Sequence, residues 1–357
     1  MKNTPFIYLR GLRHAQHTVF AVNDGQKYYV DPQFGRKMAY SSGQQVKRSV
    51  LEALNMPFSA MTFNWEIDKK DNKASQKEPH SPCDPSFTDQ LLGGYMKAES
   101  GSFGVKRRSP LSFSAMRPLH PLLGGIEYPT ENLTFDRTSH PEHHEVKVFW
   151  LDSKKRGAQL SKEELDDWLT TNKRTLPSRA FIQDQTRVSG LFAYDVAIDL
   201  RTLFCVSTNK LEPELFPDIE KKLRSEGWVE GANIFGKCLI CPKEKREEII
   251  PALAKALINW RITSNQSRTF SLMETVALAI SDNANQIAYA IRGDLRDDTE
   301  RPQAVPKIDE STKAELFITP IASSHIAGSV GSADALEKAE GRLVEMISRF
   351  DFENQVN

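Results

Sequence analysis

Cysteine is scarce in this chain: Cys83, Cys205, Cys238 and Cys241 are the only four in 357 residues. That is too few for a disulfide framework and suits a reducing compartment. Long apolar runs are missing as well, since nothing approaches the roughly 18 consecutive apolar residues that a spanning helix needs. The apolar patch within residues 1–10 is too short for a signal peptide core. A cytoplasmic protein without a membrane partner is the expectation. Net charge is also absent, with 47 Lys and Arg against 47 Asp and Glu, which excludes a uniformly basic coat but leaves room for local patches.

Catalytic signatures are equally sparse. No Gly-x-Ser-x-Gly elbow surrounds a serine such as Ser189. Gly101-Ser-Phe-Gly104 lacks the Gly-Lys-Ser/Thr and the following helix of a phosphate loop. The run His140-Pro-Glu-His143-His144-Glu145 does not have the order that puts two histidines and a base on one helical face. Cys238-Leu-Ile-Cys241 is half a zinc site whose sole comparable partner pair is the remote His80 and Cys83; two small core hydrophobes is the favoured reading. The expectation is therefore no catalytic residue, no metal and no cofactor.

What is present is patterned. Phe6–Leu9 and Thr18–Val22 read as extended segments around a polar turn. Over Gly43–Leu54, Val46, Val50 and Ala53 share one helical face while Gln44, Lys47 and Arg48 share another, with Ser41-Ser42 available to cap. Residues 68–85 and 100–147 lack periodicity and read as loops or insertions. Phe192, Tyr194, Val196 and Ile198 alternate with small or polar residues, which marks a strand. Lys243–Trp260 reads as a helix and Thr275–Ile280 as a buried strand. Leu336, Ala339, Leu343, Ile347 and Phe350 give a terminal helix. This order predicts an α+β fold of ferredoxin-like type carrying large insertions.

Charge is unevenly distributed. Residues 1–50 hold eight bases against two acids, and residues 294–357 hold seven bases against thirteen acids. Such asymmetry suits a polyanion-binding face with an acidic flank, or copies that stack head to tail. The basic and polar clusters Gln44/Lys47/Arg48, Lys106/Arg107/Arg108, Arg117 and Ser267/Arg268 contain the residue types that bind phosphate together.

Four segments in order resemble the crRNA-binding backbone subunit of CRISPR type I surveillance complexes (Cascade), in its DevR-like branch. They are Ser41-Ser-Gly-Gln-Gln-Val-Lys-Arg48, Leu91-Leu-Gly-Gly-Tyr-Met96 running into Val105-Lys-Arg-Arg-Ser-Pro-Leu111, Leu191-Phe-Ala-Tyr-Asp-Val-Ala-Ile198, and Gln266-Ser-Arg268. The first departs from the family's Ser-Gln-Ser by reading Gly-Gln-Gln.

The resemblance implies a single RRM-like palm over residues 1–357, with a finger insertion at 60–100, a thumb-like insertion at 100–150 and an acidic C-terminal segment at 294–357. It implies RNA contacts at Ser42, Gln44, Gln45, Lys47, Arg48, Lys106, Arg107, Arg108, Arg117, Ser267 and Arg268. A thumb that wedges between bases requires an apolar tip, for which Met116, Leu133 and Phe135 are the candidates. The implied partners are crRNA, further copies of the chain, other CRISPR subunits and a target nucleic acid, with DNA favoured over RNA. Two competing readings are a metal-dependent RNA-cleaving backbone subunit using Asp24, with Asp31 in the same loop, and a transcriptional autoregulator, for which no helix-turn-helix pattern is visible.

Overall fold

The computed structural model describes residues 4–20, 26–68, 73–98, 104–127, 133–136, 145–152, 155–176, 179–182, 186–262 and 270–356. The chain divides into two compact units, one formed by residues 1–127 with 188–357 and the other by residues 128–187. The second unit starts later and runs further than the aperiodic stretch of residues 100–147.

The larger unit opens with β1 (Phe6–Thr18), the hairpin β2 (Tyr28–Val30) and β3 (Lys37–Ala39), and α1 (Gly43–Ala53). An exposed hairpin of β4 (Trp65–Asp68) and β5 (Lys73–Gln76) follows, then α2 (Thr88–Gly93), β6 (Tyr95–Lys97), β7 (Val105–Arg107), β8 (Leu111–Phe113), β9 (Arg117–Pro118) and β10 (Gly124–Glu127). The smaller unit contributes β11 (Leu133–Asp136), β12 (Phe149–Asp152), β13 (Lys155–Gln159), α3 (Lys162–Asn172) and β14 (Arg179–Ile182). Within it β11 pairs with β14 and β12 with β13, both antiparallel. Helix α3 buries no residue, and a capping box between Ser161 and Glu164 closes its first turn.

After the smaller unit come β15 (Arg187–Asp199), α4 (Leu200–Leu203), β16 (Cys205–Ser207), α5 (Pro217–Ser225), β17 (Val229–Asn233), β18 (Gly236–Ile240) and α6 (Lys243–Asn259). The chain continues through β19 (Glu274–Ser281), α7 (Ala284–Ala290), β20 (Ile291–Arg296), β21 (Gln303–Ile308), β22 (Glu315–Ile318) and α8 (Ala335–Ser348). The result is a mixed α+β fold with antiparallel pairing. Its main sheet runs β10-β15-β1-β19-β22, with β8 and β9 also paired to β15. Strand β1 is central, pairing Leu9 with Val196 on one side and with Ile280 on the other.

Alternation along these strands divides the apolar residues between two faces. Ile7 and Leu9 of β1, Tyr194, Val196 and Ile198 of β15, and Leu278 and Ile280 of β19 pack in one core with Val46 and Val50 of α1, Leu253 and Leu257 of α6, and Leu343 of α8. Leu12, Ala277 and Ala279 pack with Ile287 and Ala290 of α7 on the other. Cys238 and Cys241 are core side chains, 2% and 1% exposed, and all four cysteines are free thiols. Burial pushes the Cys241 thiol up to about 12.

Two sequence expectations are corrected here. Residues 6–18 form one strand without a turn, because Arg13, which looked like part of a polar break, is 1% exposed and packs into the core. The polar run at 68–85 is not all loop, since Lys73–Gln76 pairs with Trp65–Asp68 in a hairpin too short to show periodicity.

Candidate nucleic-acid interface

Helix α1 begins where Ser42, in extended geometry, accepts the Gln45 amide at 3.3 Å. No acidic residue lies in the first turn, so the positive end of the helix dipole is left uncompensated there. The Gly43 and Gln44 amides have no acceptor among the described residues, and the Gln44 side chain is exposed. Glycine at 43 has a steric cause: a Cβ there would overlap the carbonyl oxygen of Phe113. The helix start is thus pressed against the β8–β9 segment, and reciprocal Ser41–Met116 backbone bonds of 3.0 and 2.9 Å fix it.

That contact places the backbone of Arg117, the residue after Met116, beside the helix start. Its exposed guanidinium lies 5.1 Å from the ring centre of Tyr29 in β2, and Tyr29 meets Tyr40 edge-on at 5.8 Å. Burial raises the Tyr29 phenol above its ordinary value, and Arg117 partly offsets the shift. On the same hairpin, Lys37 sits 4.8 Å from the centre of the Tyr28 ring, which is 50% exposed. Arg36 is exposed beside it. The turn is held by Asp31, whose Oδ1 accepts the Gln33 and Phe34 amides at 3.1 and 2.8 Å, and by Gly35 at φ +64. That carboxylate is occupied as a turn acceptor.

Several anticipated contacts have other roles. Arg107, expected on RNA, is 3% exposed and donates to the carbonyls of Leu91, Thr202 and Cys205 and to Glu214. It is an internal brace, because its donors are spent and its head group is sealed from solvent. Met116, expected as a wedge, is 0% exposed in the main core and cannot insert between bases. Gln45 is engaged by the Ser41 hydroxyl at 3.0 Å and donates to the Phe20 carbonyl. Lys47 turns back to donate to the Gly93 carbonyl, and desolvation lowers its ammonium below the ordinary lysine value.

The remaining candidates are more accessible. Arg48 pairs with Glu52 at 2.7 Å and lies 4.8 Å from the centre of the Phe58 ring. Lys106 and Arg108 are exposed on either side of buried Arg107. Asp24, Ser267 and Arg268 lie outside the described residues, as do the side chains of Leu133 and Phe135 on β11. Among the described residues, no group of three or more His, Cys, Asp or Glu side chains could hold a metal ion. No described helix is long and apolar enough to cross a membrane.

The N-terminal surplus of positive charge is not one open face. Arg10 is paired with Asp195 at 2.6 Å, Arg13 donates to the Ile258 and Trp260 carbonyls, and Lys47 and Arg48 have the partners described above. What stays open is a strip running from the α1 start through Arg117 to Tyr28, Tyr29, Arg36 and Lys37. Sequence reasoning passed over the last four. Their signal was the pair Tyr28-Tyr29 followed, across an Asp-Pro and Gly turn, by Arg36-Lys37.

No family model and no curated protein matches this chain. Among solved structures, it is similar to a chain described as "CRISPR RNA-guided surveillance complex, pre-nicking", at 11% identity and a TM-score of 0.44, covering 99% of this chain and 94% of that one. It is also similar to a chain described as "CRISPR RNA-guided surveillance complex", at 10% identity and a TM-score of 0.37, covering 99% of this chain and 91% of that one.

Chemically, the strip combines unspent helix-start amides, exposed cations and an accessible aromatic ring. Amides and guanidinium groups bind phosphate, and tyrosine rings stack on bases without regard to sequence.

Proposed function

We propose that this protein is a non-catalytic backbone subunit that binds crRNA as a single strand within a CRISPR effector complex. Copies stack along the guide and support its pairing with a target. The observation that carries the reading is the meeting of the α1 start, Arg117 and the tyrosine-bearing β2–β3 hairpin on one strip.

The resembling segments support it by their positions in space. Lys47 of the first reaches Gly93 of the second, where a Cβ on Gly94 would crowd the Arg107 carbonyl. The third is the strand beside β1. The strand order β8-β15-β1-β19, with α1 and α6 packed on one face, supports reading the larger unit as an RRM-like palm. In this reading the β4–β5 hairpin belongs to a finger region and residues 128–187 contain the thumb.

The test is to purify the full chain in high salt, measure its 260/280 absorbance ratio and add single-stranded RNAs of increasing length. Mass photometry is expected to show mass rising in equal steps with RNA length, each copy covering a fixed number of nucleotides. A single dimer mass at every length, or no RNA binding, overturns the reading.

A further inference from the structure

A cavity of about 480 Å³ lies on the face of the main sheet opposite α1 and α6. Its floor is Ala193 with the Arg10–Asp195 pair, one wall is the Ser114–Leu119 segment, and the other is Arg292–Gly293 at the start of β20. Among the described residues, three guanidinium groups line it against one carboxylate. That carboxylate is already spent, because Asp195 takes the Arg10 Nε and Nη2 donors at 2.6 and 3.0 Å. Arg10 is anchored further by donating to the Ile291 carbonyl at 3.1 Å, which ties the floor to the β20 wall.

The two walls differ in what remains free. Arg292 uses Nε on Asp294 at 2.9 Å and Nη1 on Asp309 at 3.1 Å, which leaves Nη2 without an acceptor among the described residues. Arg117, on the β9 wall, has no hydrogen-bond acceptor among the described residues. Its one close partner among the described residues is the Tyr29 ring. Unspent guanidinium donors on two walls of one cleft suit an anion with several acceptor oxygens, since guanidinium groups bind phosphate through paired, charge-assisted hydrogen bonds. The cleft is also continuous, through Arg117, with the aromatic hairpin on which bases would stack.

We infer that this cleft holds one phosphodiester of the bound single strand, between Arg117 and Arg292, while an adjoining base lies on the Tyr28–Tyr29 hairpin. The inference rests on the single-strand reading above and adds a second anchoring point, remote from the α1 amides in sequence. Arg117 contributes the mobile charge; Arg10 and Asp195 are positioning residues that keep the floor neutral and flat.

The experiment uses the full-length protein and a short labelled oligouridylate, with Arg117→Gln removing the free charge and Ala115→Glu placing a carboxylate in the lining. Gln44→Ala serves as the α1 comparison, and circular dichroism monitors folding. Arg117→Gln is expected to weaken binding roughly tenfold, the loss of one charge-assisted contact. It should also make the log K against log salt slope shallower by about 0.7. Ala115→Glu is expected to weaken binding further, and so is Arg292→Gln, which removes the unspent Nη2 donor of the other wall; should Ala115→Glu not fold, Arg292→Gln carries the test.

Uridine monophosphate and inorganic phosphate at millimolar concentration are expected not to displace the strand. Wild-type affinity in the Ala115→Glu and Arg292→Gln variants, with Arg117→Gln and Gln44→Ala impaired, overturns the cleft assignment and leaves the RNA-binding reading standing. Displacement of the strand by the mononucleotide or by phosphate overturns it too, in favour of a small-anion site. Absence of RNA binding by the wild-type chain overturns both.

Discussion

The Arg13 guanidinium lies 4.2 Å from the centre of the Trp260 ring and donates to the Trp260 carbonyl at 2.6 Å. It donates to the Ile258 carbonyl as well, also at 2.6 Å, while the Tyr194 hydroxyl donates to that of Leu257 at 3.0 Å. Together these groups satisfy the last carbonyls of α6 inside the core, where a cation also favours the helix dipole. Burial lowers the Arg13 pKa, but an arginine stays charged under such a shift.

Replacing this group should therefore be costly. Arg13→Met is expected to lower stability by about 3 kcal/mol, because buried carbonyls lose their donors. Arg13→Lys should fall between, keeping charge and losing the fork. Urea melts read the effect, and an unchanged midpoint in Arg13→Met would refute the capping role.

Gly43→Ala should destabilise by about 1–3 kcal/mol, since the obstacle is the Phe113 backbone carbonyl, which cannot swing aside as a side chain would. A neutral or stabilising result, as expected for alanine at an unobstructed helix position, would show that the close approach is wrong.

Ser42→Ala should cost about 1 kcal/mol through loss of the cap, whereas Gln44→Ala should leave stability unchanged. RNA affinity separates them in the opposite sense. Gln44→Ala is expected to weaken RNA binding while melting with the wild type, and equal affinity would remove Gln44 from the interface.

His325 packs against His14 with ring centres 4.2 Å apart and planes tilted by 33°, and His14 faces Glu274 at 3.3 Å. Desolvation, then the neighbouring imidazole, lowers the His325 pKa, and Glu274 opposes this. A lowered folded pKa means that the unfolded chain binds more protons, so stability rises with pH. This contribution is complete above the ordinary histidine value and is lost as pH falls through it toward the folded one. Thermal melts should show the wild type losing more stability than His325→Gln between pH 7.5 and pH 5.5, about two units spanning the ordinary histidine pKa. Parallel losses would exclude the pair as the cause.

The elements with long apolar periodicity were legible in the sequence: α1, β15, α6, β19 and α8 fall where their spacing puts them. Arg107 was not, because its neighbours Lys106 and Arg108 made the trio look like one basic surface. Strand alternation instead points the middle residue inward, to carbonyls that come from remote segments. Arg13 failed for the same reason, since no local pattern announces a donor meant for a helix end far along the chain. The Tyr28–Lys37 hairpin was overlooked because strands of three residues carry too little alternation to register, and its value to the site comes from Arg117, which only folding brings near.

The central position of β1 also sets the order of events during synthesis. Its two sheet partners begin at Arg187 and Glu274, so the emerging strand has neither edge covered until most of the chain has left the ribosome. Its core-facing Arg13 must wait for Trp260 as well. Contacts this distant along the chain make folding slow, and an unpaired central strand invites pairing with other chains meanwhile. Yield of the folded protein should thus depend on chaperone supply and lowered growth temperature more than its equilibrium stability alone would indicate.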